Sequence, residues 1–443
     1  MFFPLIGVHL RVSAATAVFL FLRTRLVAHR TLIPIGPYHP LQEEAEFFQL
    51  TVEGETVVDI DVRLSYNHRG IEGVAMKRTW DQVPYLVERV CGICSASHPL
   101  AYVQAVEDLA GAQVPERALY IRTIVNELER IHSHLLWLGL AGHFIGFNTV
   151  FMWAWRYREP VLDALEVCTG SRINYANHTI GGSRLDLDED KVKYVRQCLD
   201  DIEKPVAMLI SAATEDPILA LRLKGVGVLT EQDARRLCAV GPTARASGVP
   251  IDVRRDDPYA AYDRIDWKVC TASKGDVFDK VVVRMLETVE CIKMLRQALD
   301  DLPGGPIQAP VHEVPPGEAV GRVEAPRGET FHYVRSNGGP YPERHKIRAP
   351  SYVNVPTCKA SCIGQSVADT TITLAAVDPC YSCTERLAVV RERGRARLGF
   401  ADLVRLSREK TDRLCRAECR MGREDYDSAF ALRLSKGRAG GIA

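Results

Sequence analysis

The order of apolar and polar residues along the chain predicts several long helices and a few short strands. Two stretches carry apolar residues at alternating spacings of three and four, which is typical of a helix with one buried face. The first stripe comprises Ile121, Ile124, Leu128, Ile131, Leu135 and Leu138, and the second comprises Val282, Met285, Val289, Ile292 and Leu299. Between positions 32 and 62 apolar and polar residues alternate across the turn signal Glu53-Gly54-Glu55, which predicts a β-hairpin or a small antiparallel sheet. We therefore expect an α+β fold, predominantly α, with a central helical bundle and small antiparallel β elements.

Composition is that of a globular, enzyme-sized protein. Of its 443 residues 47% are hydrophobic, which is ample for a buried core. Basic and acidic residues number 56 each, so charge gives no case for a nucleic-acid partner. The segment 387–443 is an exception, since it holds 14 lysines and arginines against 8 acidic residues. Thirteen cysteines, an odd number, argue against a secreted disulfide framework and for a reducing cytosol in which some thiols bind a metal.

The N-terminal segment carries one apolar run, from Ala14 to Leu22, flanked by arginines. It is too short to span a bilayer, and no small-residue cleavage site follows it. We interpret residues 1–30 as a dispensable extension, of the kind a mis-assigned start codon produces, rather than a targeting signal. No transmembrane helix is predicted elsewhere, so attachment to a membrane would come through partner subunits.

Two cysteine pairs provide the candidate chemistry. Cys91 and Cys94 form the first pair, followed by His98, and Cys380 and Cys383 form the second, followed by Arg386. Each Cys-x-x-Cys turn brings two sulfurs together, and four thiolates are a soft donor set that selects zinc, iron-sulfur, copper(I) or nickel. A helix is predicted directly after the first pair, and amides at a helix N-terminus favour thiolate over thiol. The spacing therefore predicts a metal site with four sulfur ligands.

The sequence around these cysteines resembles a known family. Arg-Val-Cys-Gly-Ile-Cys-x-x-x-His at positions 89–98 and Asp-Pro-Cys-x-x-Cys-x-x-Arg at positions 378–386 resemble the two signature motifs of nickel-iron hydrogenase large (catalytic) subunits. The arginine at position 386 of the second motif resembles the pattern of the membrane-associated, energy-converting branch of the family (formate hydrogenlyase and CO-induced types). That branch is related to the 49-kDa subunit of complex I, the respiratory NADH-quinone oxidoreductase. The resemblance implies that Cys91 and Cys380 are terminal nickel ligands. It also implies that Cys94 and Cys383 bridge nickel to an iron that carries cyanide and carbonyl ligands.

Four further residues lie in segments that resemble motifs of the same family. Glu72, in Arg69-Gly70-Ile71-Glu72, is implied to pass protons near the metals, and His98 to donate to the Cys94 sulfur. Arg327, in Glu324-Ala325-Pro326-Arg327-Gly328, is implied to stabilise negative charge at the open face of the two metals. The Thr357 hydroxyl is implied to donate to an iron-bound cyanide. The stretch 127–139 resembles both hydrogenases and the complex I relative, so the roles of Glu127, Arg130, His132 and His134 stay open.

Two other kinds of protein remain as alternatives. One is a complex I-like connector that conducts electrons or reduces quinone without nickel. Gly36-Pro37-Tyr38-His39-Pro40 resembles the opening of that relative, but Glu43 stands where it has a second quinone-site histidine. The other is a non-enzymatic scaffold held by structural zinc, which would need none of Glu72, His98, Arg327 or Thr357.

Partners and processing follow from the resemblance. No ferredoxin-like cysteine spacing lies outside the two pairs, so electrons would pass to an iron-sulfur small subunit. The branch further implies membrane-embedded ion-translocating subunits, a ferredoxin-like or formate/CO-oxidising donor, and a peripheral location on the cytoplasmic face of the membrane. Maturation proteins of the family would cut after Arg386. We therefore expect a large-subunit domain over 31–386 and a basic extension over 387–443 that is either removed or retained as a docking arm.

Overall fold

The computed structural model describes residues 30–39, 42, 44–64, 66–384, 390–391, 394–395, 405–406, 408–409 and 412. The chain divides into two units, Met1–Arg386 and Leu387–Ala443. In the second unit the described residues include two short antiparallel strands, Val390–Arg391 and Gly394–Arg395. The predictions for the N-terminal extension, for Glu43 and for cleavage after Arg386 concern residues outside the described ones.

A three-stranded antiparallel sheet opens the first unit. Its strands are β1 (Arg30–Ile35), β2 (Phe47–Glu53) and β3 (Thr56–Arg63), in spatial order β1-β2-β3. Alternate residues of β2, namely Phe48, Leu50 and Val52, are fully buried, as the alternating sequence pattern predicts. They pack against Cys358, Cys362 and Leu374 from the end of the unit, so this sheet lies close to the second cysteine pair in the fold.

Helices form most of the structure. They are α1 (Ile71–Ala75), α2 (Val83–Val87), α3 (Ser97–Ala110), α4 (Glu116–Phe144), α5 (Asn148–Thr169), α6 (Glu189–Glu215), α7 (Pro217–Leu223), α8 (Glu231–Arg236), α9 (Gly241–Ala246), α10 (Val253–Asp256) and α11 (Val277–Asp300). Between α5 and α6 lie the short paired strands β4 (His178–Thr179) and β5 (Gly182–Ser183). Helices α4, α5, α6 and α11 pack together around the largest hydrophobic core. This is the helical bundle that the apolar periodicity predicts. None of the described helices is long and apolar enough to cross a membrane.

The two stripes predicted for the long helices have different outcomes. In α4 the stripe is buried, but so is every other residue from Tyr120 to Gly139, including Glu127 and Arg130. In α11 the prediction for Val289 is wrong, because this side chain is 44% exposed while Arg284 and Glu287 face inward. Burying charged groups requires ionic and hydrogen-bonded partners, and an apolar-stripe argument does not include that compensation.

A second three-stranded antiparallel sheet and three short helices complete the unit. The strands are β6 (Gly317–Ala325), β7 (Gly328–Ser336) and β8 (Arg344–Arg348), and the helices are α12 (Pro350–Asn354), α13 (Thr357–Cys362) and α14 (Val367–Ala376). Helix α3 packs directly on β6. The two approach so closely at Gly321 that a Cβ there would lie 1.9 Å from the carbonyl oxygen of Ala101. Ala325 pairs with Gly328, which places Arg327 in the tight turn between β6 and β7. The sheet thus positions Arg327 and supports α3, the helix that follows the first cysteine pair.

Candidate metal centre

The two cysteine pairs occupy similar local turns. The Cys94 amide donates to the Cys91 carbonyl at 3.3 Å, and the Cys383 amide donates to the Cys380 carbonyl at 3.1 Å. The first turn leads into α3, and the second lies in a 3₁₀ segment, Tyr381–Thr384. In both turns the backbone brings two sulfurs to one side. The sequence predicts this part of the site because it depends only on local spacing.

The two cysteine pairs meet in the interior, where three of the four sulfurs form a compact group and Cys94 lies beside Cys91. All four cysteines are buried, with Cys380 the most accessible at 5%. The Sγ atoms of Cys91 and Cys380 are 3.2 Å apart, and those of Cys91, Cys380 and Cys383 all lie within 4.8 Å of one another. Hydrogen bonds from the neighbouring thiols, that of Cys380 first, hold the pKa of Cys91 well below its ordinary value. Thiol donors this close, with a thiolate already favoured among them, fit a soft metal ion or a pair of them.

Arg327 places a positive charge beside this cluster. Its Nη1 lies 3.9 Å from the Cys94 sulfur, and its Nε donates to both the carbonyl and the carboxylate of Asp378 at 2.9 Å. Burial works against the charge, but Asp378 and the cysteines hold the pKa of Arg327 well above its ordinary value. Asp378 also faces Arg284 at 3.9 Å, so one carboxylate lies between two buried guanidinium groups. The arrangement fixes a permanent cation against the sulfurs.

His98 lies beside a different sulfur from the one expected. Its Nε2 is 3.9 Å from the Sγ of Cys383, whereas we expected a contact with Cys94. The Nδ1 of the same ring is engaged at 3.0 Å by Nε2 of His332 on β7, and this contact sets the direction in which the ring points. With Cys94 the contact is through the backbone, since the His98 amide donates to the Cys94 carbonyl at 3.2 Å.

Thr357 and Glu72 are held by protein groups. The Thr357 hydroxyl is buried and donates to the Asn354 carbonyl at 2.6 Å, across the start of α13. Asn354 itself donates to the Arg327 carbonyl at 3.3 Å, which links Thr357 to the turn between β6 and β7. Glu72 is partly exposed and accepts from Lys346 Nζ at 2.6 Å and from the Ile347 amide at 3.0 Å. The roles suggested for both residues stay predictions.

Glu44 is a site residue that sequence reasoning missed. Its Oε2 lies 3.7 Å from the Cys380 sulfur and accepts from the Ser382 amide at 2.5 Å. The same carboxylate borders a cavity of about 650 Å³ whose lining also includes Tyr38, His39 and Arg69. Glu44 thus connects the cluster to an open volume. The only available signal was its position in the segment that resembles the complex I relative, next to Glu43.

Glu129 supports the first cysteine turn from behind. Helix α3 begins without a side-chain cap of its own. Glu129 on α4 instead accepts from the Ala96 amide at 2.5 Å and from the Ser97 amide at 3.2 Å, so a buried carboxylate caps the helix. Burial raises the pKa of Glu129 to about 8. This residue lies in the shared stretch 127–139, but its sequence position gives no sign of the partner.

The stretch 127–139 also supports the turn between β6 and β7 that contains Arg327. Arg130 donates to the carbonyls of Glu324 and Ala325, at 2.6 and 3.2 Å, just before Arg327. Arg130 in turn pairs with Glu127, which also accepts from the Tyr262 hydroxyl at 2.5 Å. The buried charges on α4 therefore help to hold β6 in place.

Comparisons with known proteins show which family the chain belongs to. The family model for the respiratory-chain NADH dehydrogenase 49-kDa subunit matches residues 145–314 and 309–386, and the model for nickel-dependent hydrogenases matches residues 69–140. The membrane-bound hydrogenase subunit alpha of Pyrococcus furiosus is 43% identical over 403 residues, which cover 86% of this chain and 93% of the relative. This chain belongs to the nickel-iron hydrogenase and 49-kDa subunit family. The predicted family is confirmed.

Two further members of the family match over most of their length. The carbon monoxide-induced hydrogenase of Rhodospirillum rubrum is 40% identical over 356 residues, covering 80% of this chain and 99% of the relative. A subunit in the structure of an archaeal membrane-bound sulfane sulfur reductase, described as a respiratory membrane complex, superposes with a TM-score of 0.77. It is 31% identical and covers 81% of this chain and 98% of that chain. The predicted α-rich α+β fold of the family is thereby confirmed.

Proposed function

We propose that this chain is the catalytic subunit of a nickel-iron hydrogenase that interconverts dihydrogen with protons and electrons. The observation that carries the proposal is the buried cluster of four cysteines, with Sγ atoms of Cys91 and Cys380 3.2 Å apart and the guanidinium of Arg327 beside it. Relatives named as hydrogenases match over most of their length, which supports the same activity.

The cysteines would hold the metals in two roles. Cys91 and Cys380 would be terminal ligands of nickel, and Cys94 and Cys383 would bridge nickel to an iron with cyanide and carbonyl ligands. Such a centre, when bound, supplies the heterolytic splitting of dihydrogen. Around it, Arg327 compensates the negative charge of the thiolates, and Asp378 keeps its guanidinium in a fixed direction. Thr357 is proposed to donate to a cyanide by turning its hydroxyl away from Asn354.

Two carboxylates are candidates for moving protons. Glu44 contacts the Cys380 sulfur and borders the cavity, so it can accept a proton at Oε2 and release it toward that volume. Glu72, which the motif resemblance favours, is held by Lys346 and by the Ile347 amide and is the second candidate. The contact with Cys380 favours Glu44 as the first acceptor.

The protein would work within a membrane-associated complex. One relative is named as membrane-bound, and the structural neighbour belongs to a membrane complex. We propose an iron-sulfur small subunit as the electron partner, ion-translocating membrane subunits, and a ferredoxin-like or formate/CO-oxidising donor. The chain would be peripheral on the cytoplasmic face and would need maturation proteins to load its metals.

A complex I-like connector without nickel is the second candidate function. The observation in its favour is the match of the 49-kDa subunit model to residues 145–314 and 309–386. The cavity beside His39 and Glu44 is a space in which a quinone could bind. Against this candidate, all four cysteines are present, and the sulfurs of Cys91, Cys380 and Cys383 lie within 4.8 Å of one another.

Elemental analysis with infrared spectroscopy on the complex from its native host separates the two functions. The hydrogenase predicts nickel and iron near one each in this subunit, with bands of metal-bound carbonyl and cyanide. Replacing Cys383 with alanine should abolish those bands. Replacing Cys168, a buried cysteine of the helical core, with alanine should keep them. Zinc alone, or no metal in the folded wild-type complex, would refute the hydrogenase function.

A further inference from the structure

Three buried histidines form a hydrogen-bonded chain that begins at the cysteine cluster. Nδ1 of His98 lies 3.0 Å from Nε2 of His332, and Nδ1 of His332 lies 3.0 Å from Nε2 of His345. None of the three side chains is accessible to solvent. They come from α3, β7 and β8, so the packing of the helix on the sheet brings them together. The ring of Tyr102 packs against those of His332 and His345, with centroids 6.5 and 5.3 Å apart, and limits their rotation.

A chain of neutral imidazoles has only two hydrogen-bonding directions. Each neutral ring carries one N–H and one lone pair, so the direction chosen by one ring determines the direction of the next. Either every N–H points toward Cys383, or every N–H points away from it toward the far nitrogen of His345. Burial lowers the pKa of His345 to about 4, so this ring is neutral at physiological pH.

Both ends of the chain favour the same direction. At the outer end, Nδ1 of His345 has no hydrogen-bond partner among the described residues, so an N–H there would be buried and unsatisfied. An unsatisfied buried donor costs about 1–3 kcal/mol. At the inner end, Nε2 of His98 faces the Cys383 sulfur at 3.9 Å, where the thiolate of a metal-bound Cys383 would repel a lone pair and attract an N–H.

We infer that His332 and His345 are positioning residues that fix the tautomer of His98, so that its Nε2–H is directed at the Cys383 sulfur. The inference rests on the proposed function and deepens it, because it concerns the electronic environment of a cysteine proposed to bridge the two metals. A hydrogen bond to a metal-bound sulfur withdraws electron density from the metal. His345 therefore acts on the metal centre through His332 and His98, without contacting it.

Substitution of His345 tests the chain through infrared spectra of the purified complex rather than through its turnover. His345→Phe removes the donor to His332, so we expect the carbonyl and cyanide bands to shift together to lower frequency. His345→Gln should keep the wild-type bands, since its amide nitrogen can take the place of Nε2 and donate to His332. His178 is a buried histidine that contacts Asn126 and is not one of the three hydrogen-bonded histidines. His178→Phe should therefore also leave the bands unchanged.

The outcomes separate this inference from the proposed function. Wild-type bands in His345→Phe at full nickel and iron content would overturn the positioning role and leave the hydrogenase intact. Should His345→Phe fail to acquire metal, His345→Asn serves instead, since its shorter amide does not reach the Nε2 position and is expected to shift the bands. Absence of carbonyl and cyanide bands from the wild-type complex would overturn both, because the inference depends on the metal centre.

Discussion

Asp378 holds the guanidinium of Arg327 through a buried ion pair, with 2.8 Å between Oδ1 and Nη2. The two residues come from different motifs, one before the second cysteine pair and one in the turn between β6 and β7. Their side chains are only 3% and 2% exposed. A cation fixed in this way needs no reorganisation to stabilise negative charge at the sulfurs, which is the condition for strong electrostatic stabilisation.

Replacing Arg327 with lysine should reduce hydrogenase turnover by about 10²–10³-fold while nickel and iron remain bound. Lysine keeps a positive charge but cannot reproduce the fork that binds Asp378 and also reaches Cys94. Hydrogen evolution from a reduced dye, measured together with metal content, checks this. Arg322→Lys, in the exposed pair with Asp257, is the control and should retain full activity. Unchanged turnover in Arg327→Lys would show that the fork has no catalytic importance.

Arg130 is expected to contribute much more to stability than an exposed arginine. Replacing it with methionine leaves Glu127 without one of its buried partners and removes the donors to the carbonyls of Glu324 and Ala325. Breaking a buried pair from one side costs about 3–5 kcal/mol. Arg322→Ala removes a surface pair and should cost about 0–1 kcal/mol. Urea unfolding of the purified chain compares the two variants, and equal midpoints would contradict the structural role given to α4.

The sequence predicted those parts of the site that depend on short-range spacing. Both cysteine turns, the antiparallel pairing of β2 with β3 and the long helices follow from patterns within about 30 residues. Contacts between distant segments could not be read in the same way. Glu44 contacts Cys380 although 336 positions separate them in the sequence, and no local pattern predicts such a pair. The inward-facing Arg284 and Glu287 were missed because an apolar stripe cannot reveal charges that are compensated by other helices.

His178 should make the fold sensitive to acid. Burial, assisted by Arg122, lowers the pKa of His178 to about 3, below the value near 6.5 expected in the unfolded chain. Between these values the unfolded state binds the extra proton, so stability is fully present above pH 6.5 and decreases as the pH falls. From pH 7 to pH 5 the loss from this residue is about 2 kcal/mol. His178→Gln should show a smaller decrease in unfolding free energy over that interval, measured by urea titration at each pH. An identical decrease in both proteins would exclude this histidine as the cause.

Glu44 and Glu72 offer a direct comparison between structure and motif resemblance as guides to the proton route. Glu44→Gln keeps the size and the acceptor oxygen for Ser382 but cannot take a proton from the Cys380 sulfur. We expect it to lower hydrogen–deuterium exchange by about 10²-fold or more, the usual contribution of a positioned acid–base group. Glu72→Gln should have a weaker effect, because the Glu72 carboxylate is already paired with Lys346. Carbonyl and cyanide bands, unchanged in both variants, would show that the metals are in place. The reverse order, with Glu72→Gln inactive and Glu44→Gln active, would return the first proton step to the residue that the sequence motif suggested.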